Sequence, residues 1–324
     1  RLLAPLAYTD LCAYSEADLV ISTGGTYLVE AYDLGIRFFD FEITRALGKR
    51  LVLFTQSLGP FEKPENQERV RRLLGDAELV LLRDERSRDH LSDLGLDRNL
   101  QVCADVVFAS APEDLVERAS ARRLPDGRPL RVGVSVRRWP HFRGRTMEEG
   151  MAAYRDAVAA AVTELVEVRG AEVVFVSTCQ GIPEYRMDDS RVAREIHDSL
   201  PPATRSRVRV DTEFRTPSEL VQLIQGLDVV IATRMHMAIL SLIAGTPVLP
   251  IAYEFKTVEL FRRLEGREPD LDIETIDAEA LRQAVDDLLE GIDGRRDELF
   301  RAVARERESA KEAAHHLRRV LERG

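Results

Sequence analysis

Asp228–Lys256 reads DVVIATRMHMAILSLIAGTPVLPIAYEFK. It opens on an apolar run, Asp228–Ala232, and passes through Thr233-Arg234-Met235-His236. An apolar, helix-length segment follows, then a Gly-Thr-Pro break and a second apolar run, Pro247–Ala252. Val/Ile/Leu runs without polar alternation suit strands covered on both faces. Strand, helix and strand in this order make a βαβ unit and imply a parallel sheet. The polar residues gather where the first strand gives way to the helix and again just after the second strand, at Tyr253, Glu254 and Lys256. Open parallel sheets bind ligands outside the carboxyl ends of their strands. Arg234 beside the free amides of a helix start makes an anion site. His236 can move a proton near neutral pH.

Working outward, the same grammar repeats. Asp18–Ser22, Leu51–Thr55, Leu79–Arg83 and Gln101–Asp105 read as one series of strands. Arg131–Val136, Val173–Thr178 and Val208–Phe214 begin a second series, which ends with the stretch above. Helical stretches separate them. Thr216-Pro217-Ser218-Glu219 carries a capping Thr, a Pro at the first helical position and a Glu at the third. Met151–Arg169 is amphipathic, with Gly170 to stop it. Asp277 can cap a helix through Glu290, and Arg295–Arg323 reads as a separate charged helix. The polar, Pro-containing stretch Ala111–Pro129 reads as a linker. The expected class is α/β with mostly parallel sheets in two lobes, 1–115 and 116–294. Residues 295–324 are expected to pack back on the first lobe.

Composition limits the function classes. The 324 residues carry a formal charge of −10 and are 44% hydrophobic. That balance argues against broad nucleic-acid or anionic-membrane binding, though local Arg, Lys and His can still dominate one cleft. No run of eighteen apolar residues occurs, so no spanning helix is expected. Cys12, Cys103 and Cys179 are widely spaced and form no CxxC pair, which suits reduced, buried thiols and a cytoplasmic protein. GxGxxG, GxxxxGK[ST] and HExxH are all missing from the sequence, so no nucleotide loop or zinc motif is supported.

Other strand ends add candidates. Gly24 and Gly25, in Ser22–Thr26, let backbone approach a ligand, and a following helix start could offer amides. Gln56 opens a polar turn into Gly59-Pro60, and Ser177 begins another, Ser177–Gly181. Arg83-Asp84-Glu85-Arg86 fits a surface helix cap with local ion pairs better than a ligand contact. Asp105 could orient a hydroxyl or cap the next turn. Arg137 ends a buried-looking strand, where a guanidinium suits bidentate binding of carboxylate or phosphate. Trp139, two residues on, reads as core or rim. Asp188-Asp189-Ser190 fits an N-cap better than a metal site.

Taken in order, DLVISTGG, QSLGPF, LVLLRDERS, CADVVF, GVSVR, FVSTCQG and above all ATRMHMAILSLIAGTPVLPIAYEFK make the chain resemble the polysaccharide pyruvyl transferase family. The resemblance implies two facing Rossmann-like domains similar to GT-B glycosyltransferases. It implies transfer of the pyruvyl group of phosphoenolpyruvate to a sugar, giving a ketal and phosphate, without a metal or other cofactor. The first lobe would hold the sugar or lipid-linked oligosaccharide acceptor, and the second lobe phosphoenolpyruvate. Peripheral membrane association through that acceptor is a further expectation, and no nucleic-acid partner is expected. By analogy, Arg137, Arg234 and Lys256 would hold the donor, His236 and Asp105 would move protons, and Gly24, Gly25, Gln56 and Ser177 would shape the pocket. Family members open with a strand and an Asn-x-Gly-Asp turn. Nothing of that kind precedes Asp18, so the first lobe is expected to lack its first strand. The competing readings are a GT-B glycosyltransferase using a nucleotide-sugar and a non-catalytic glycan-binding protein.

Overall fold

The computed structural model describes residues 5–30, 32–180 and 188–322. It divides into two compact units, residues 1–109 with 306–324, and residues 110–305.

The first unit begins with α1 (Pro5–Glu16), β1 (Leu19–Ser22) and β2 (Gly25–Leu28). It continues through α2 (Leu34–Ala46), β3 (Arg50–Leu58), α3 (Pro64–Leu74), β4 (Leu79–Leu82), α4 (Glu85–Ser92) and β5 (Leu100–Val102). The sheet runs β1-β3-β4-β5, with β2 also on β3, and every pairing is parallel. One reading needs correction here. The chain leaves Gly24 into a second strand, so the glycine pair does not sit at a helix N-terminus. β1 pairs with Arg50–Leu53 and β2 with Gln56–Leu58. Between these two pairings Thr55 adopts φ +50°, a conformation that costs a β-branched residue energy.

The second unit contains α5 (Leu115–Ala121), β6 (Arg131–Ser135), α6 (Met147–Glu167), β7 (Glu172–Phe175), α7 (Asp189–Ser199), α8 (Pro202–Arg205) and β8 (Val208–Val210). Then come α9 (Pro217–Gln225), β9 (Val229–Ala232), α10 (Met235–Ile243), β10 (Val248–Pro250), α11 (Phe255–Glu265) and α12 (Ala278–Leu321). Its sheet is parallel, in the order β10-β9-β6-β7-β8. Read from the β8 edge and counted from β6, that is third, second, first, fourth, fifth, the doubly wound arrangement.

Local signals place the helices. Thr146 and Thr216 each form a full capping box, with Glu149 and Glu219 returning a bond to the cap. Asp277 accepts from Ala280 N at 2.8 Å, but α12 then runs to Leu321 without a break. Two helices were expected there. Gly291 and Gly294 are tolerated at about 1 kcal/mol each, less than an apolar face gains on burial. Past Arg305 that helix belongs to the first unit. Its Ala313 and Val320 pack with Val52, Leu79, Leu81 and Cys103. Val320 O accepts from Arg50 Nη2 at 2.6 Å, and Ser309 Oγ accepts from Ala104 N at 3.0 Å.

α10 is buried over nearly its whole surface, as an all-apolar helix must be. His236 is its exposed exception. Among the described residues, no helix is long and apolar enough to cross a membrane.

Candidate functional site

The strand order of the second sheet reverses between β6 and β9, and a doubly wound sheet binds its ligand at such a switch point. Ser135 and Ala232 stand side by side in that pairing. Two residues beyond each strand come Arg137 and Arg234, so the two arginines leave adjacent strands at the switch point.

Arg137 is 4% exposed, and no carboxylate pairs with it among the described residues. Its guanidinium is held instead by aromatic faces. It lies 3.8 Å from the Tyr253 ring centroid and 4.8 Å from that of Trp139. Its Nε donates to Arg138 O at 3.3 Å. A buried cation without an anion is costly unless a ligand supplies one. Stacking on electron-rich faces offsets part of that cost. Trp139 is therefore not merely core or rim. Its ring meets Tyr253 edge-on at 5.1 Å, and its Nε1 donates to Glu274 at 3.4 Å.

Arg234 is placed differently. Its Nε and Nη2 donate to the two Asp189 oxygens, both at 2.7 Å, and Asp189 is 1% exposed. Burial works against the Arg234 cation, but the Asp189 bonds outweigh it and hold the charge firmly. The acidic run divides its labour. Asp188 caps α7 through Ser190 N at 3.0 Å, while Asp189 fixes Arg234. Sequence reasoning credited both acids to the cap. Only a tertiary contact could separate them.

Cys179 shares this neighbourhood. Burial raises its thiol pKa, and the charges of Arg234 and Arg137 pull it down. Ser177 is used locally, donating to Cys179 O at 2.8 Å and accepting from Cys179 N at 3.0 Å. Gly181 lies outside the described residues. Beneath the switch point the Tyr154 hydroxyl bonds Thr233 Oγ1 at 2.7 Å, and burial raises its pKa. Lys256, in the first turn of α11, pairs with Glu254 at 2.6 Å and lies 5.2 Å from the Tyr253 ring. His236 is the second residue of α10, directly after Arg234 and Met235. Arg137, Arg234, His236, Lys256 and Ser177 thus all sit at carboxyl ends of strands in one sheet.

The first unit has its own polar cluster at the carboxyl ends of β3, β4 and β5. The Arg83 guanidinium is buried and donates to Ser57 Oγ at 2.7 Å, Asp105 Oδ2 at 2.6 Å and Thr26 Oγ1. This corrects the expectation of a surface cap. Asp84 does cap α4 through Ser87 N, but Arg83 turns inward and ties four strand ends together. Asp105 also accepts from Val107 N at 3.1 Å, which is the turn-capping role. Gln56 is fully buried. Its Nε2 donates to Tyr27 Oη at 2.7 Å and to Thr23 O, and its Oε1 finds no partner among the described residues. A Cβ on Gly24 would stand 2.8 Å from Thr55 Oγ1 and 3.1 Å from Thr55 O, so a side chain there would force Thr55 to shift. On Gly25 it would meet the Tyr27 ring at 2.7 Å.

Residues 2–254 match the family model described as polysaccharide pyruvyl transferase. A relative, the amylovoran biosynthesis protein AmsJ of Erwinia amylovora, is 27% identical over 304 residues, covering 90% of this chain and 70% of its own. Among solved structures, a putative UDP-N-acetylglucosamine 2-epimerase from Listeria monocytogenes superposes with a TM-score of 0.62 at 16% identity. That match covers 100% of this chain and 82% of that one. The S. aureus MnaA–UDP structure gives 0.60 at 14% identity, covering 99% and 83%. At such identities the likeness shows the fold alone, two Rossmann-like domains of GT-B type.

Proposed function

Because this chain belongs to the polysaccharide pyruvyl transferase family, we propose that it moves the pyruvyl group of phosphoenolpyruvate onto a sugar of a polysaccharide precursor. The observation that carries this reading is Arg137, a buried guanidinium at the switch point with no carboxylate partner among the described residues. A small donor bearing a carboxylate and a phosphate supplies the missing anion. Arg234, fixed by Asp189, takes the second anionic group, and Lys256 adds charge.

His236 as imidazolium protonates the methylene carbon of phosphoenolpyruvate, which makes C2 electrophilic. A sugar hydroxyl attacks C2 and loses its proton to base. The C2–O bond to phosphate then breaks and phosphate leaves. A second hydroxyl of the same sugar closes the ketal and gives up its proton. One pyruvyl group is transferred, one phosphate is released, and no redox change occurs. The Gly24-Gly25 turn serves the acceptor, and the buried Gln56 shapes that turn through its bonds to Thr23 O and Tyr27 Oη. Asp105 supports them through Arg83, a better use for a carboxylate already bonded to a guanidinium than removing a hydroxyl proton. No further cofactor is needed for this sequence of steps. A sugar carried on a lipid would bring the protein to a membrane surface without a spanning helix, on the cytoplasmic side where phosphoenolpyruvate is made.

The test incubates the protein with phosphoenolpyruvate and a panel of sugar and lipid-linked sugar acceptors, and examines the products by NMR. A ketal methyl signal that appears only with acceptor supports the reading. Tight binding of a nucleotide-sugar, with glycosyl transfer and no ketal, would replace it with a glycosyltransferase.

A further inference from the structure

The loop after β6 continues past Arg137 as Arg138-Trp139-Pro140-His141-Phe142-Arg143-Gly144-Arg145. It carries three more arginines and no acid, in a chain whose 56 acidic residues outnumber 46 basic ones. Most arginines in such a protein find a carboxylate. Arg138, Arg143 and Arg145 form no ion pair among the described residues. Arg138 donates to the Met147 sulfur at 3.5 Å, and Arg145 lies 5.7 Å from the Phe142 ring centroid. Two acids meet the loop through its backbone, its Trp139 ring and its far end, and the charge of Arg145 reaches the second of them, Glu149. Glu274 accepts from Trp139 Nε1 and from Arg143 N at 2.9 Å, and Glu149 closes the capping box on Thr146. These bonds pin the loop at its middle and at its far end, so little ordering entropy remains to be lost on binding.

We propose that this pinned loop is a second anion subsite, for a phosphate ester or diphosphate carried by the acceptor. The inference rests on the donor assignment above. The donor has one carboxylate and one phosphate, and Arg137, Arg234 and Lys256 already answer both. Three further guanidiniums on the loop that Arg137 begins, none in an ion pair among the described residues, exceed what the donor requires. Guanidinium forks fit phosphate oxygens better than they fit neutral hydroxyls. The acceptor is thereby held by its anionic end while its sugar meets C2 of the donor.

The first arm is direct binding and needs no activity. Inorganic pyrophosphate is titrated calorimetrically into the wild type, into an R138Q/R143Q/R145Q variant, and into an R191Q/R194Q/R301Q variant that removes equal charge elsewhere in the same unit. The loop variant is expected to bind about tenfold or more weakly, and the control variant within about twofold of wild type. Equal loss in both variants, or none in the loop variant, overturns the subsite. The second arm compares acceptors. With the loop variant, KM should rise about tenfold for a diphosphate-linked sugar and stay level for the same sugar as a neutral glycoside and for phosphoenolpyruvate. A raised KM for phosphoenolpyruvate instead would assign the loop to the donor and overturn the inference. Loss of binding to phosphatidylglycerol vesicles, with pyrophosphate binding unchanged, would make it a membrane contact and overturn it too. Failure of the donor reading would appear separately, as a wild type that binds pyrophosphate but releases no phosphate from phosphoenolpyruvate.

Discussion

Arg137 is where sequence and structure reinforce each other most. An arginine at the end of a Val/Gly strand can be noticed in the sequence, but its burial without a carboxylate among the described residues cannot. Its aromatic support was hidden because Trp139 and Tyr253 lie more than a hundred residues apart. The stacking makes Arg137 sensitive to shape as well as charge. Arg137→Lys should therefore lose nearly as much kcat/KM for phosphoenolpyruvate as Arg137→Ala, about 10²-fold or more. Recovery of near wild-type kinetics in the lysine variant would show that charge alone matters. His236 lies on the exposed side of an otherwise buried helix, so His236→Ala should fold normally and lose about 10²-fold in turnover. Circular dichroism beside steady-state rates checks both parts. Cys179 keeps its thiol protonated at neutral pH because burial raises its pKa. Its alkylation by iodoacetamide should be slow at pH 7 and should speed up only as the pH is raised above the range of an ordinary thiol.

At the scale of elements, most of the second unit was legible. Its strands announce themselves as continuous Val/Ile runs, and the Thr146 and Thr216 boxes fix two helix starts. The first unit was read less well around Gly24. A glycine pair after a strand suggests a turn into a helix, whereas here the backbone jogs and resumes as β2 on the same neighbour, β3. Close backbone approach at Gly24 leaves no local sequence signal beyond the glycine itself. Gly24→Ala should destabilise the first unit by about 1–3 kcal/mol in denaturant unfolding, because its Cβ would press on Thr55. At the entry to β9, Asp228 accepts from Arg128 at 2.7 and 2.8 Å and from Arg131 N at 2.8 Å. Burial acts to raise its pKa, but these bonds prevail and the net shift is downward. A carboxyl whose folded pKa is depressed adds stability above its unfolded value, near 4, and that stability is lost as pH falls through the folded pKa. Asp228→Asn should therefore lower stability at pH 7 and flatten the fall in stability below about pH 4.

At the scale of the molecule, the chain is two units joined by continuous backbone, with the end of α12 returned to the first unit. The sequence reads Arg295–Arg323 as a separate charged helix, and its continuity with the preceding helix was not legible because Gly291 and Gly294 look like a break. Removing residues 306–324 would strip Ala313 and Val320 from the face of the first sheet and expose Val52, Leu79 and Leu81. The first unit should then exchange amide protons faster and the second remain protected, which hydrogen exchange with mass spectrometry resolves unit by unit. The central claim is that the switch-point residues perform pyruvyl transfer, and acceptor-dependent phosphate release from phosphoenolpyruvate tests it most directly. Release by the wild type, lost in folded Arg137→Ala and His236→Ala variants, is the predicted result. Release that persists undiminished in both folded variants would contradict it.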